Sequence, residues 1–451
     1  MSSPIKNYLK QLIAFQSVSS DPEKGNISRK TAEFIIKQFK NLGAETKLVE
    51  NELTGKNPLL FAKFITDENM PTILCYSHYD VQPASIDDGW DTDPYNMIEK
   101  EDEGYLYGRG VNDDKGPIAS AYFAVKELIE EGTNCNVAFL YEGEEESGSD
   151  GFEDTVKKNK DFFGKIDGIL ILDTSWFGDN RPSMDYGFRG IAYLGIEISG
   201  PNKDQHSGFV GGSIREPMAD LIFVMSKLIT PDGKILIDSF FDDVKEVTDE
   251  EEKLYENVEF DLDDFVDYLG KRILLVEDAK TTLMNMWRNP SLSFHGIQGA
   301  FSGIGSKTVV PAKVMGKVSM RLVPDQNSKE IAELTKKYIK KAFKDLNSPN
   351  SLKVKTLGIG DWWYGDVENF LFKAGQKAIK EYWNIDPSFT RSGGSIPIIP
   401  FLEKLFSAPA MGLGIGQSTD GAHSQNERIR IKNLIGGKEV IKRIFKEISN
   451  Q

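Results

Sequence analysis

The sequence predicts a two-domain α/β protein, in which a larger sheet domain is interrupted by an inserted α+β domain of βαββαβ-like order. Three observations predict it. Short apolar runs at 59–65 (LLFAKFI), 72–77 (TILCYS), 136–141 (NVAFLY) and 168–172 (GILIL) are bounded by turn residues, as expected for strands buried on both faces. A helical pattern separates the second run from the third, which points to parallel strand pairs. Near residue 186 the texture changes to an alternating strand and a new strand–helix order, and a helix of the first kind returns at 370. At about 100–200 residues per domain, 451 residues give two or three domains. The expected division is 1–185 plus 365–451 for the first domain and 186–364 for the inserted one.

The elements follow in order. Ile5, Leu9, Leu12 and Ile13 share one helical face, and the stretch lacks the continuous apolar core of a signal peptide. Residues 29–42 read as a helix stopped by Gly43. Ile118, Tyr122, Val125 and Ile129 define one face of a helix over 117–131, with Pro117 in its first turn. YGFRGIAYLGIEISG (186–200) reads as a strand and 217–229 as a helix. The acidic tract at 241–265 is expected to be a solvated helical insertion. Strands over 291–297 and 314–323, an amphipathic helix over 328–345 and a strand over 351–358 complete the βαββαβ order. Helices over 370–382 and 432–448, with Gly-rich turns between them, rejoin the first domain.

Composition narrows the function classes. A net charge of -15 with no basic stripe argues against nucleic acid. No stretch approaches ~18 apolar residues, so no membrane span is expected. Cys75 and Cys135 each lie in an apolar stretch and are expected to be buried free thiols, which fits a reducing cytoplasm.

Acids and histidines gather where these strands end. In open α/β sheets, ligands bind beyond the carboxyl ends of strands. The run at 72–77 ends in His78-Tyr79-Asp80, the run at 136–141 leads to Glu142, Glu144, Glu145 and Glu146, and the run at 168–172 ends in Asp173. GRGVNDDKGP brings Asp113 and Asp114 to the start of a helix. Asp80 shares a strand face with His78 and can hold its imidazole, as partners of metal-bound histidines do. Crowded carboxylates become tolerable beside divalent cations, two of which at ~3.5–4 Å can share a carboxylate and a water. On this reading Glu145 and Glu146 face the cations. Glu142 and Glu144 are expected to be solvent-exposed or to charge a helix N-terminus. His206 (DQHSG) and His423 (DGAHSQNE) lie in polar settings, and His295 is expected to be structural.

The words SHYDVQP (77–83), GRGVNDDKGP (108–117), YEGEEESGS (141–149), DYGFRGI (185–191), QHSG (205–208), RSGGSIP (391–397) and GAHSQNE (421–427) occur in one order along the chain. In that order they resemble the di-zinc amidohydrolase and peptidase family of glutamate carboxypeptidase, aminoacylase and the cytosolic non-specific dipeptidases. The carnosinase-like branch is the nearest in pattern. The resemblance implies two divalent ions, Zn²⁺ or Mn²⁺, with His78 and Asp173 on one, Glu146 and His423 on the other, and Asp113 shared. It implies Glu145 as general base and then acid, and Asp80 as the residue that orients the site. His206 would supply an oxyanion donor across a homodimer interface. Arg321 (VSMRLVP) would grip the substrate carboxylate, and Thr308 (SKTVVP) and Ser395 would contact substrate through their hydroxyls.

The implied reaction is hydrolysis of dipeptides or short peptides with a free carboxylate in the cytoplasm, with N-acyl-amino-acid deacylation as the alternative. The first domain would be catalytic and metal-binding, and the inserted one a lid and dimerisation domain. Gly393 and Gly394 would let the backbone approach the ligand closely. The chain departs from the pattern at one point, since Ser392 stands where many relatives place an acid before GGSIP. The aromatics of GDWWYGD (360–366) are expected in core or hinge packing.

Overall fold

The computed structural model describes residues 3–449. Among them, nine strands form the larger sheet. They are β1 (Glu45–Val49), β2 (Leu59–Phe64), β3 (Thr72–His78), β4 (Asn136–Glu142), β5 (Gly168–Ile171) and β6 (Ser183–Phe188), then β11 (Trp363–Tyr364), β12 (Ser388–Ser392) and β13 (Ala410–Leu413). The spatial order is β1-β2-β4-β3-β5-β13-β6-β11, with β12 also on β6. The intervening β7 (Gly190–Ser199), β8 (Ser291–Gln298), β9 (Lys313–Leu322) and β10 (Ser351–Gly360) build a separate antiparallel sheet in the order β8-β9-β7-β10. The two-sheet α/β architecture is therefore as the sequence predicts.

The larger sheet is mixed. β3 pairs in parallel with β4 and β5, and β13 in parallel with β5, while β1, β2 and β6 add antiparallel neighbours. Its strands read as continuous apolar runs because both faces are covered. On β3, Ile73 and Cys75 face one core, while Leu74 and Tyr76 face the other. The first core is closed by α1 (Pro4–Ile13), α2 (Gly25–Asn41), α3 (Lys115–Glu130), α9 (Phe370–Trp383) and α11 (Ile431–Ser449); the second includes α10 (Ile398–Phe406). Both cysteines are buried and free. Because β3, β4 and β5 run in parallel, their carboxyl ends share one rim, and His78 lies level with Glu142.

On the smaller sheet, α4 (Pro217–Ser226) and α8 (Ser328–Asp345) cover one face. His295 on β8 bonds Ser319 Oγ through Nε2 at 2.7 Å and meets Tyr193 edge-on, a structural position. The strand expected over 186–200 is two strands, β6 and β7, joined at Arg189. β6 continues the larger sheet to Phe188, and β11 resumes it at Trp363.

The acidic tract differs from expectation. It forms α5 (Asp249–Glu256) and α6 (Leu262–Leu269), but it is not simply solvated. On α5, Glu251 and Tyr255 are buried, one helical turn apart. Tyr255 packs in a small core with Leu283 and Trp287 of α7 (Ala279–Trp287). Glu251 Oε1 accepts from Arg391 Nη1 of β12 at 2.7 Å, and its Oε2 lies 3.5 Å from Arg288 Nε. A buried face thus docks the insertion beside the rim.

Candidate metal centre

The rim of β3, β4 and β5 gathers two groups of donor atoms. His78, Asp114 and Asp173 form one, and Asp113, Glu146 and His423 the other; within each, ligand atoms lie within 4.8 Å of one another. Asp113 joins them. Its Oδ1 is 2.9 Å from His78 Nε2, and its Oδ2 is 3.0 Å from His423 Nε2. Glu146 Oε2 is also 3.0 Å from His423 Nε2, and Asp173 Oδ2 is 3.9 Å from His78 Nε2.

The donor chemistry fits divalent cations. His78 Nδ1 is 3.1 Å from the carbonyl oxygen of Asp80, a group that can only accept, so Nδ1 carries the hydrogen. Nε2 stands 2.9 Å from Asp113 Oδ1, to which it donates when protonated and beside which, once deprotonated, it offers a lone pair to a cation. Among the described residues, no lysine or arginine forms an ion pair with Asp113, Glu145, Glu146 or Asp173. Their mutual repulsion shows in their acidities. Burial, with neighbouring carboxylates, pushes Asp173 up to about 7 and Glu145 well above its usual range. Hydrogen bonds to Asp113 and Glu146 push His423 up to about 10. Burial opposes charge on both His78 and Asp113. Their bonds to each other, with Asp80 and His423, outweigh it, raising His78 and holding Asp113 low. Two cations at this place would discharge the whole group.

The surrounding chain fixes these donors. Asp80 Oδ2 accepts from the Glu146 N–H at 3.1 Å, while its Oδ1 stands 3.4 Å from His78 Nδ1. Gln82 Nε2 donates to Glu146 Oε2 at 2.8 Å. The fully buried Glu427 draws the two loops together. Its Oε2 accepts from Arg109 Nη1 (2.8 Å) and Gly110 N (2.9 Å), and its Oε1 from Asn112 N (2.9 Å) and Asp113 N (3.1 Å). Arg109 Nη2 reaches the Ser424 carbonyl, beside His423.

Beside the donors lies a cavity of about 380 Å³. Asp113, Glu145, Asp173 and His423 line one part, and Asp185, Thr390, Ser392 and Ser395 another; Phe177 and Trp287 add aromatic walls. Ser395 Oγ accepts from Arg321 Nη1 at 2.6 Å, so these two predicted residues meet at the cavity edge. Arg189, between β6 and β7, donates from Nε to the Gly393 carbonyl, and from Nη1 to Asn285 O, Asn289 O and Ser291 Oγ. Gly393 is needed for that packing rather than for ligand approach, since a Cβ there would stand 2.5 Å from Met286 O and 2.9 Å from Arg189 Nη2.

His206 and Thr308 do not line this cavity. His206 lies on a two-residue ladder (205–206 with 309–310), and Thr308 flanks it, its carbonyl accepting from Ser207 N. His206 is exposed, and its Nδ1 accepts from Gly208 N–H at 2.9 Å, which leaves Nε2–H as an outward donor.

Two expectations are corrected. Glu142 and Glu144 are both buried. Glu142 accepts from Tyr76 Oη and Ser149 Oγ, and burial pushes it up to about 8. Glu144 accepts from Asn57 N at 2.9 Å and from Lys56. Asp114, Asp185 and Glu427 are site residues to which the sequence reading gave no role. Asp114 takes the Ser77 hydroxyl on one oxygen and has no partner for the other. The signal for Asp114 and Glu427 lay inside quoted motifs, NDDKGP and GAHSQNE.

A two-sheet α/β fold with these donors beside an acid-lined cavity is that of a metal-dependent hydrolase. The chain belongs to peptidase family M20/M25/M40, whose family model matches residues 74–447. It is 42% identical over 442 residues to the Cys-Gly metallodipeptidase of Candida albicans, covering 95% of this chain and 91% of that one. To the mouse (Mus musculus) Beta-Ala-His dipeptidase it is 37% identical over 398 residues, covering 87% and 80%. The solved structure of the dipeptidase Dug1p from Saccharomyces cerevisiae matches with a TM-score of 0.90 at 37% identity, covering 99% and 96%. Among the described residues no helix is long and apolar enough to cross a membrane.

Proposed function

We propose that this protein hydrolyses dipeptides and other short peptides with a free C-terminal carboxylate, in the cytoplasm and as a homodimer. The observation that carries the reading is Asp113, which offers one carboxylate oxygen to each of two histidines. Relatives that share the whole architecture are dipeptidases by name. Zinc or manganese held here supplies a Lewis acid for the amide carbonyl and a water of lowered pKa.

The chain's own residues do the rest. His78 and Asp173 would hold one ion, Glu146 and His423 the other, and Asp113 would serve both. Asp80 keeps His78 and Glu146 in register. Glu145 lines the cavity without serving as a ligand, and it takes a proton from water and returns it to the leaving amine. Arg321 and Ser395 meet the substrate carboxylate, and a guanidinium fork fits that group. His206 and Thr308, on the smaller sheet and outside the cavity, serve the site of a second copy, where Nε2–H of His206 meets the developing oxyanion. The larger sheet (1–185 and 365–451, with strand ends to Phe188 and from Trp363) is the catalytic domain. The smaller one (186–364) is the lid and dimerisation domain.

Purified protein with added Zn²⁺ or Mn²⁺ is expected to cleave Cys-Gly and Ala-Ala. Cleavage of acetylated amino acids alone would overturn the dipeptidase reading in favour of a deacylase.

A further inference from the structure

Ser392, at the end of β12, lines the cavity with a hydroxyl. A carboxylate stands nearby on the adjacent strand. β12 runs parallel to β6, and Asp185 pairs with Thr390, two residues before Ser392. Among the described residues four acids line the cavity: Asp113, Glu145, Asp173 and Asp185. The first three stand at the metal centre. Asp185 alone has no task there.

Its surroundings are those of a carboxylate awaiting a cation. It is 5% exposed, and among the described residues no lysine, arginine or histidine forms an ion pair with it. The groups that face it are neutral: the Thr390 hydroxyl donates to Oδ1 at 2.7 Å, and the Thr174 hydroxyl lies beside it. The nearest guanidinium along β12, Arg391, is turned to Glu251. Room for the side chain comes from Gly412 on β13, where a Cβ would stand 2.8 Å from the Asp185 Cβ. Burial pushes the carboxyl up to about 7, and a bound cation would reverse that shift. A buried, unpaired carboxylate at the wall of a ligand cavity is costly unless the ligand completes it.

We infer that Asp185 is a specificity-determining residue that receives the free ammonium group of the substrate's N-terminal residue. This inference rests on the peptide-cleaving reading of the site. The ligand class is an amino-acyl compound with an unblocked α- or β-amine. A cavity with Ser392 and no such carboxylate would take an N-acyl group as readily.

The test pairs Ala-Leu with propionyl-leucine, which has the same shape without the ammonium. Calorimetry on zinc-loaded Glu145→Gln protein measures binding of each without turnover. Ala-Leu is expected to bind more tightly, and adding Asp185→Asn is expected to lower the ratio of the two affinities by about 10- to 100-fold, the worth of a hydrogen bond to a charged group. Asp185→Ser carries the same comparison if the asparagine variant fails to fold. An unchanged ratio, an equal loss for both ligands, or no preference for Ala-Leu to begin with would overturn the assignment. If the preference depends on Asp185 but the unmutated, metal-loaded protein leaves Ala-Leu intact, the dipeptidase reading fails and the ammonium site stands.

Discussion

Replacing Glu427 by glutamine tests how the centre is held together. The carboxylate takes two donors on each oxygen: Arg109 Nη1 and Gly110 N on Oε2, Asn112 N and Asp113 N on Oε1. Glutamine keeps the shape but has only one acceptor atom. Whichever way the amide turns, its NH₂ group faces two N–H donors, and those two lose their acceptor in a site closed to water. At about 1–3 kcal/mol for each buried donor left unsatisfied, the variant is expected to lose roughly 2–6 kcal/mol. The second effect falls on Asp113, whose backbone N–H is one of the four. Support behind a ligand typically changes metal affinity by about 10–100-fold, and a drop of that size is expected. Denaturant unfolding of the metal-free protein measures the first effect, and competition with a chromogenic chelator the second. A variant within about 0.5 kcal/mol of the parent, with unchanged metal affinity, would refute the idea that Glu427 couples the two loops.

Other predictions address the base, the insertion and the buried wall. Glu145→Gln is expected to keep its metal content by elemental analysis while losing most turnover; loss of metal would mean that Glu145 and Glu146 have exchanged roles. Mixing that variant with His206→Ala is expected to restore activity in exchanged dimers, and no recovery despite confirmed exchange would place His206 within its own chain's site. Glu251→Ala leaves Arg391 and Arg288 buried without their anion and is expected to cost about 3–5 kcal/mol in denaturant unfolding; a change near zero would mean that α5 is not anchored there. Asp185 is carried by burial from its ordinary 3.8 to about 7, so its ionisation opposes folding. That penalty is absent below pH ~4, grows through the interval and is complete above ~7. Metal-free Asp185→Asn is therefore expected to gain on the parent as pH rises across this interval, by at most about 4 kcal/mol, and a constant difference from pH 4 to 8 would contradict it.

Much of the architecture was legible because β2 to β5 are buried on both faces and so stand out as unbroken apolar runs. β6, β12 and β13 were not, since SMDYGF, SFTRS and AMGL carry little periodicity and pair with segments remote along the chain. The donors at 78, 113, 146 and 423 were legible as motif words and Asp173 as the end of an apolar run, and the fold brings them to one rim. Glu142 and Glu144 were misread because charge is written in the sequence, whereas the Tyr76 hydroxyl and Asn57 N–H that receive it arrive only with the fold. In the acidic tract, net charge hid the short buried stripe of Glu251 and Tyr255. Asp185 stood inside a quoted motif word, DYGFRGI, but its surroundings come from Thr390 and Gly412 across two strand pairings.

Arg189 occupies the single residue between β6 and β7, where the chain passes from one sheet to the other. Its guanidinium is bonded at once to the turn at Gly393, to the carbonyls at 285 and 289, and to Ser291 at the start of β8. A swing of the smaller sheet about this point has to drag the serine-bearing turn with it or break buried bonds that have no solvent to replace them. The angle between the two sheets and the position of the turn at the cavity wall are thereby fixed by one side chain.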